Sequence, residues 1–164
     1  MKIIVFSDSH GLYNNMTDAV KHEEPELIIH CGDYERDVRQ LEKKFKNIPV
    51  HSVVGNCDFG YGGKTEEEFT VMGKKFFITH GHLYRVKSGY MNFVYAAREK
   101  NADVAICGHT HIPLHEELFG IHIINPGSIT YGACTYGVID ITEDSFKYRL
   151  VEMFPDLRSR GRRR

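Results

Sequence analysis

A layered α-β-β-α sandwich, two packed mixed sheets with helices on the outside, is the fold class this sequence predicts. Three observations carry the prediction. Short unbroken apolar strands alternate with helical stretches in the first half, a hairpin around Gly73 interrupts that rhythm, and short strands crowd the segment from Glu116 onward.

The run 3–6 (IIVF) is β-branched and aromatic without alternation, the pattern of a strand covered on both faces. Leu12, Met16, Ala19 and Val20 then recur at helical spacing, with Asn14 or Asn15 as the expected N-cap and Pro25 closing the segment. A second short buried strand, 27–29, leads into a helix marked by Val38, Leu41 and Phe45. Residues 50–54 read as a third strand, stopped by Gly55-Asn56-Cys57-Asp58 and a glycine-bearing loop. The pair 69–72 and 75–79 flanks Gly73 as an antiparallel hairpin. Ser88 is the expected cap of a helix carrying Met91, Val94, Tyr95 and Arg98, and 103–107 is another buried strand. The strands expected at 116–119, 122–124, 136–141 and 146–153 fit a second, mainly antiparallel sheet.

Composition bounds the function. The 164 residues hold 41% hydrophobic and 26% charged side chains, which excludes a disordered chain and suits a single domain over residues 1–157. The formal net charge of −1 excludes a protein built wholly around nucleic acid or anionic membrane, and what basic excess exists sits in 158–164. Five of those seven residues are Arg, so that segment reads as a solvated mobile tail. No apolar run is long enough to cross a bilayer, and the apolar start meets Asp8 too soon for a signal peptide, so a soluble cytoplasmic protein is expected. Cys31, Cys57, Cys107 and Cys134 form no CxxC pair, which excludes a zinc knuckle and fits reduced thiols. Ten histidines in a chain without tryptophan, several beside Gly and Asp, mark where chemistry belongs.

Five of the expected strands end, within a few residues, in groups able to ligate a metal: Asp8 and His10, then Asp33, Asn56, His80, and finally His109 and His111. In α/β sheets the carboxyl ends of parallel strands share one edge, so these seven side chains are expected to converge there. Singly, any one of these histidines reads better as a surface or hydrogen-bonded residue; five signals in strand order point to a site. Two carboxylates, four imidazoles and an amide exceed the needs of one catalytic ion but suit two divalent ions about 3.5–4 Å apart sharing a carboxylate. Nitrogen and oxygen donors without thiolate favour Mn, Fe, Ni or Zn over Mg or Ca.

Asp8-Ser9-His10, Gly32-Asp33, Gly55-Asn56-Cys57-Asp58, His80-Gly81-His82 and Gly108-His109-Thr110-His111, in that order, resemble the signature of the calcineurin-like metallophosphoesterases. With Asn125-Pro126-Gly127-Ser128 they are similar to the compact bacterial and archaeal YfcE-like phosphodiesterase branch. The resemblance implies a metallophosphatase fold and one metal on Asp8, His10, Asp33 and His111. It implies a second metal on Asp33, Asn56, His80 and His109, with most weight on two Mn ions. Asp33 would bridge them and a hydroxide between them would attack phosphorus in line. Asn56, Cys57 and His82 would lie beside the phosphate, with Asp33, Asn56 and Cys57 the catalytic set.

The wider superfamily usually carries His where this chain has Cys57. A thiol near pKa 8.5 is a poor proton donor beside an imidazole near 6.5, so the expected substrate is a small-molecule or nucleotide phosphodiester with a good leaving group or another source of the proton. The alternative for Cys57 is a packed thiol without a catalytic part. Phe59, Tyr61, Tyr84 and Tyr90, in the loop walls 58–68 and 83–90, read first as rim or core aromatics and second as surfaces for a base. The rival functions are a non-catalytic scaffold of the retromer-subunit type and a nuclease or nucleotide pyrophosphohydrolase using the same dinuclear site. A homodimer burying part of the second sheet is compatible with the sequence.

Overall fold

The computed structural model describes residues 1–60, 62–132 and 134–154. The expected tail at 158–164 and Tyr61 lie outside the described residues. The chain runs β1 (Lys2–Phe6), α1 (Tyr13–Glu23), β2 (Leu27–His30), α2 (Glu35–Lys44), β3 (Val50–Ser52), β4 (Glu66–Val71) and β5 (Lys74–Thr79). Two short 3-10 turns, His82–Tyr84 and Val86–Ser88, precede α3 (Met91–Glu99). Then follow β6 (Val104–Ile106), β7 (Leu114–Leu118), β8 (Ile121–Asn125), β9 (Thr135–Ile141) and β10 (Phe146–Glu152).

Two five-stranded mixed sheets result, one in the order β10-β9-β1-β2-β3 and the other β4-β5-β6-β8-β7. In the first, β1, β2 and β3 are parallel; in the second, β5, β6 and β8 are. Alternation along β1 builds the layers. Ile3 and Val5 face the second sheet and meet Phe76, Ile78, Val104 and Ile106, whereas Ile4 and Phe6 face outward under Met16, Ala19 and Val20 of α1. Phe77, Ala105 and Ile123 cover the opposite outer face beneath Phe93, Val94 and Ala97 of α3.

Four local expectations are corrected. The last two strands do not join the second sheet: β9 pairs antiparallel with β1 and carries β10 on its far side. A buried run such as TYGVIDI fits the middle of either sheet, and the choice rests on long-range pairing that no local pattern encodes. Neither Asn14 nor Asn15 caps α1; the helix starts at Tyr13, and Asn15 instead donates to the Ile129 carbonyl at 2.9 Å. Ser88 ends a 3-10 turn rather than capping α3. β4 begins at Glu66, earlier than its hydrophobic pattern, because Glu66 and Glu68 pair with Lys100, and Glu67 with Lys64 and His51.

Candidate metal centre

Five parallel strands, three from one sheet and two from the other, end at one rim. Asp8 and His10 follow β1, Asp33 follows β2, Asn56 follows β3, His80 follows β5, and His109 and His111 follow β6. The rim is sewn across the two sheets: His109 N–H donates to Asp8 Oδ2 at 3.0 Å, and Ser128 Oγ donates to the Asp8 carbonyl at 2.9 Å.

Bringing these side chains together bends the backbone. Asp8, His10, Asp33, His109 and His111 all have positive φ, between 42° and 67°, a region that costs a residue with a Cβ roughly 1–2 kcal/mol. Strain on five of the seven donors marks a site rather than a loop. Two glycines allow the closest approaches. A Cβ at Gly108 would lie 1.8 Å from Ser7 Oγ and 2.6 Å from Asp8 Oδ2, and one at Gly55 would lie 2.1 Å from Asp33 Oδ1.

The seven donors fall into two sets that meet at Asp33. On one side His111 Nε2 is 2.9 Å from Asp8 Oδ1, and His10 Nε2 lies 3.8 Å from that oxygen and 3.6 Å from Asp33 Oδ2. On the other, His80 Nε2 lies 3.1 Å from Asn56 Oδ1, 3.1 Å from His109 Nδ1 and 3.5 Å from Asp33 Oδ1. One carboxylate oxygen of Asp33 thus faces each set.

These groups fit cations. His80 Nδ1 is 2.7 Å from the Cys31 carbonyl, which can only accept, so Nδ1 donates there and Nε2 is the atom turned toward Asn56 Oδ1 and Asp33 Oδ1. Acceptor oxygens gathered this closely suit a positive charge between them. His10 Nε2 is buried without a hydrogen-bond partner, a second donor atom aimed into the same space. Burial, then the neighbouring His80 and Lys87, push His109 down to about 4, leaving it a neutral ligand. Burial by itself raises the Asp8 carboxyl, but the imidazoles of His10 and His111 outweigh it and hold Asp8 well below the usual carboxylate range.

Two neighbours have other roles. Cys57 is exposed at the rim rather than packed, and its sulfur is a possible donor beside His10 and Asp33. Desolvation and the Asp33 carboxylate push its thiol up to about 11, so it is protonated at neutral pH and a weak acid. His82, on the turn after β5, sits with its ring 5.4 Å from His80, and its buried Nδ1 has no hydrogen-bond partner. Of the aromatics in the loop walls, Phe59 is 87% exposed, whereas Tyr84 packs on Phe77 and Phe93, and Tyr90 hydrogen-bonds Asn125 and Thr110.

The sequence reading missed the residues that hold the loops. The Asp58 carboxylate accepts backbone N–H bonds from Asp33, Glu35 and Gly55 at 3.1, 2.7 and 2.7 Å, tying the loops after β2 and β3 together. Asn125 Nδ2 donates to the Gly108 carbonyl and to Thr110 Oγ1, fixing the turn that presents His109 and His111. Tyr131 stacks on His111 with centroids 5.0 Å apart. A carboxylate three residues after a loop glycine is the one signal that could have revealed Asp58.

Residues 1–144 match the calcineurin-like phosphoesterase superfamily domain. The chain belongs to that superfamily. It is 38% identical over 159 residues to the probable metallophosphoesterase YsnB of Bacillus subtilis, covering 93% of this chain and 91% of that one. It is 30% identical to the phosphodiesterase MJ0936 of Methanocaldococcus jannaschii, covering 93% and 100%. Vps29 from Entamoeba histolytica, solved in complex with Zn²⁺, superposes with a TM-score of 0.71 at 20% identity, covering 93% of this chain and 99% of that one, a likeness of fold. A calcineurin-like phosphoesterase is a metal-dependent hydrolase, and among the described residues three groups of side chains lie close enough together to hold an ion: Asp8, His10 and His111; His10, Asp33 and Cys57; and Asp8, Asp33 and His80. Among the described residues no helix is long and apolar enough to cross a membrane.

Proposed function

We propose that this metallophosphoesterase hydrolyses a small-molecule or nucleotide phosphodiester at a dinuclear centre. The observation that supports it best is the orientation of Asp33, whose two oxygens lie 3.6 Å from His10 Nε2 and 3.5 Å from His80 Nε2. Asp8, His10, Asp33 and His111 would hold one ion, and Asp33, Asn56, His80 and His109 the other. When bound, the ions supply the positive charge that draws phosphate in and the nucleophile at neutral pH. Donors without thiolate fit Mn, with Ni, Fe and Zn next.

The chain's own groups do the rest. Asn56 and His82 flank the position of the phosphate, and His82, held neutral by burial and by His80, has its unpartnered Nδ1 to offer. Cys57 keeps its proton through neutral pH, so a leaving alkoxide receives little help from it and diesters with stable leaving groups are preferred. A cleft of about 410 Å³ beside the donors, lined by His10, Tyr34, Arg36, Cys57, Asp58 and Phe59, can receive the substrate's ester arm. We take residues 1–157 as one catalytic domain working in the cytoplasm.

Shared fold with Vps29 gives the scaffold reading its footing. Against it stand seven competent donors, five of them on strained backbone, a cost that a surface free of chemistry has no reason to bear. Assays of chromogenic diesters and monoesters with Mn, Ni, Zn and Mg decide between them, and nucleotide and oligonucleotide substrates test the nuclease and pyrophosphohydrolase readings. Diester hydrolysis that drops at least about a hundredfold in Asp33→Ala, with an unchanged circular dichroism spectrum, is the expected result. Hydrolysis with no ion, or an active Asp33→Ala chain, refutes the reading.

A further inference from the structure

Two imidazoles meet at the open edge of the second sheet, away from any role in the centre above. β7 is the edge strand and runs antiparallel to β8, with His115 opposite Ile124 and Glu117 opposite His122. That register puts His115, Glu117 and His122 on one face, because residues two apart on a strand share a side and directly paired residues do too. His115 Nε2 lies 3.3 Å from His122 Nδ1. The rings are braced from the neighbouring sheet: His122 stacks on Phe146, with centroids 4.1 Å apart, and His115 rests on Tyr148 at 4.8 Å.

We propose that His115 and His122 form a further divalent-metal site, sharing no residue with the seven-donor centre and taking an ion of the Zn or Cu(II) class, with water completing its coordination. The spacing is that of a chelating pair. Two nitrogens bound to one tetrahedral ion at about 2.0–2.1 Å stand about 3.3 Å apart, the separation found here. A hydrogen bond between the rings would need one nitrogen to carry the proton, whereas an ion uses both lone pairs. Both rings supply them at neutral pH. Burial and His122 hold His115 below the usual imidazole range, and burial holds His122 there, with Lys74 adding to it and Glu117 and Asp103 opposing. Imidazole donors select this class of ion over Mg or Ca. A bound ion would clasp the edge strand β7 to β8.

Equilibrium dialysis against Zn²⁺, with metal counted by mass spectrometry, tests the site. The parent chain is expected to hold about one equivalent more than His115→Gln/His122→Gln, and the two chains to hydrolyse a chromogenic diester at equal rates. The Asp33→Ala chain should retain this ion, which separates the site from the centre whose function was proposed above. Added Zn²⁺ should raise the melting midpoint of the parent more than that of the double variant. If the double variant folds poorly, broadening of the His115 and His122 ring signals by Cu²⁺ in the parent gives the same answer. Equal Zn²⁺ content in parent and variant, or ring signals untouched by Cu²⁺, would overturn the proposal and leave a His–His hydrogen bond only.

Discussion

Replacing Asp58 by Ala removes the acceptor of three backbone N–H groups at once. The carboxylate is 7% exposed, and its partners belong to Asp33, Glu35 and Gly55, in the two loops that deliver Asp33 and Asn56 to the centre. Hydrogen bonds to a charged acceptor contribute roughly 1.5–3 kcal/mol each. The Asp33 bond is buried and counts in full, while the Glu35 and Gly55 bonds are partly open to water and count at the lower end or less. A loss of about 3–5 kcal/mol follows. For a chain of this length that lowers the melting midpoint by roughly 10 °C. Asp58→Asn keeps one acceptor oxygen and turns an N–H toward the remaining donors, so about half the loss is expected. Because the Asp33 backbone loses its anchor, metal affinity should fall about 10–100-fold in Asp58→Ala, the usual effect of removing a group that orients a ligand. Thermal melts followed by circular dichroism, metal titration and diester kinetics read the three effects together. An Asp58→Ala chain melting within about 1 °C of the parent and hydrolysing at the parent rate would refute the reasoning.

Cys57 is exposed while Cys31, Cys107 and Cys134 are buried, so iodoacetamide should label one residue of the native metal-free chain. With that thiol pushed up to about 11, labelling should be slow at pH 8 and still climbing at pH 10; a plateau near pH 9 would contradict the assigned surroundings. His30 is fully buried and pushed down to about 4 by desolvation, with Nδ1 accepting from Gly32 N–H and Nε2 facing Ser9 Oγ. The native state keeps it neutral while the unfolded chain takes up a proton near pH 6.5, so its contribution is whole above that pH and is lost as pH falls toward 4. The loss is on the order of 3 kcal/mol. Urea unfolding of the parent and His30→Gln between pH 7.5 and 4.5 measures it, and equal pH slopes in the two chains would show that His30 is not the source.

The layers and the gathering of seven polar side chains at one rim were legible because each depends on short stretches: an unbroken apolar run announces a strand covered on both faces, and a polar residue just past it sits at the strand's carboxyl end. β1, β2 and β5 show this directly, since Ile3 to Phe6, Leu27 to Ile29 and Phe76 to Ile78 are all buried. What stayed hidden depends on partners far along the chain. β9 reaches β1 across most of the sequence, and its own residues do not say which sheet receives it. Asn15 reads as a cap by composition, yet the Ile129 carbonyl claims its side chain. Asp58 looked like part of a loop wall because its three donors belong to two separate loops, and a backbone N–H leaves no trace in a residue pattern.

The most direct measurement is anomalous diffraction from crystals soaked in Mn²⁺. Two peaks in each chain are expected, one among Asp8, His10 and His111 and one among Asn56, His80 and His109, with an Asp33 oxygen turned to each. A single peak, or a pair placed so that Asp33 touches neither, would contradict the dinuclear centre on which the account rests.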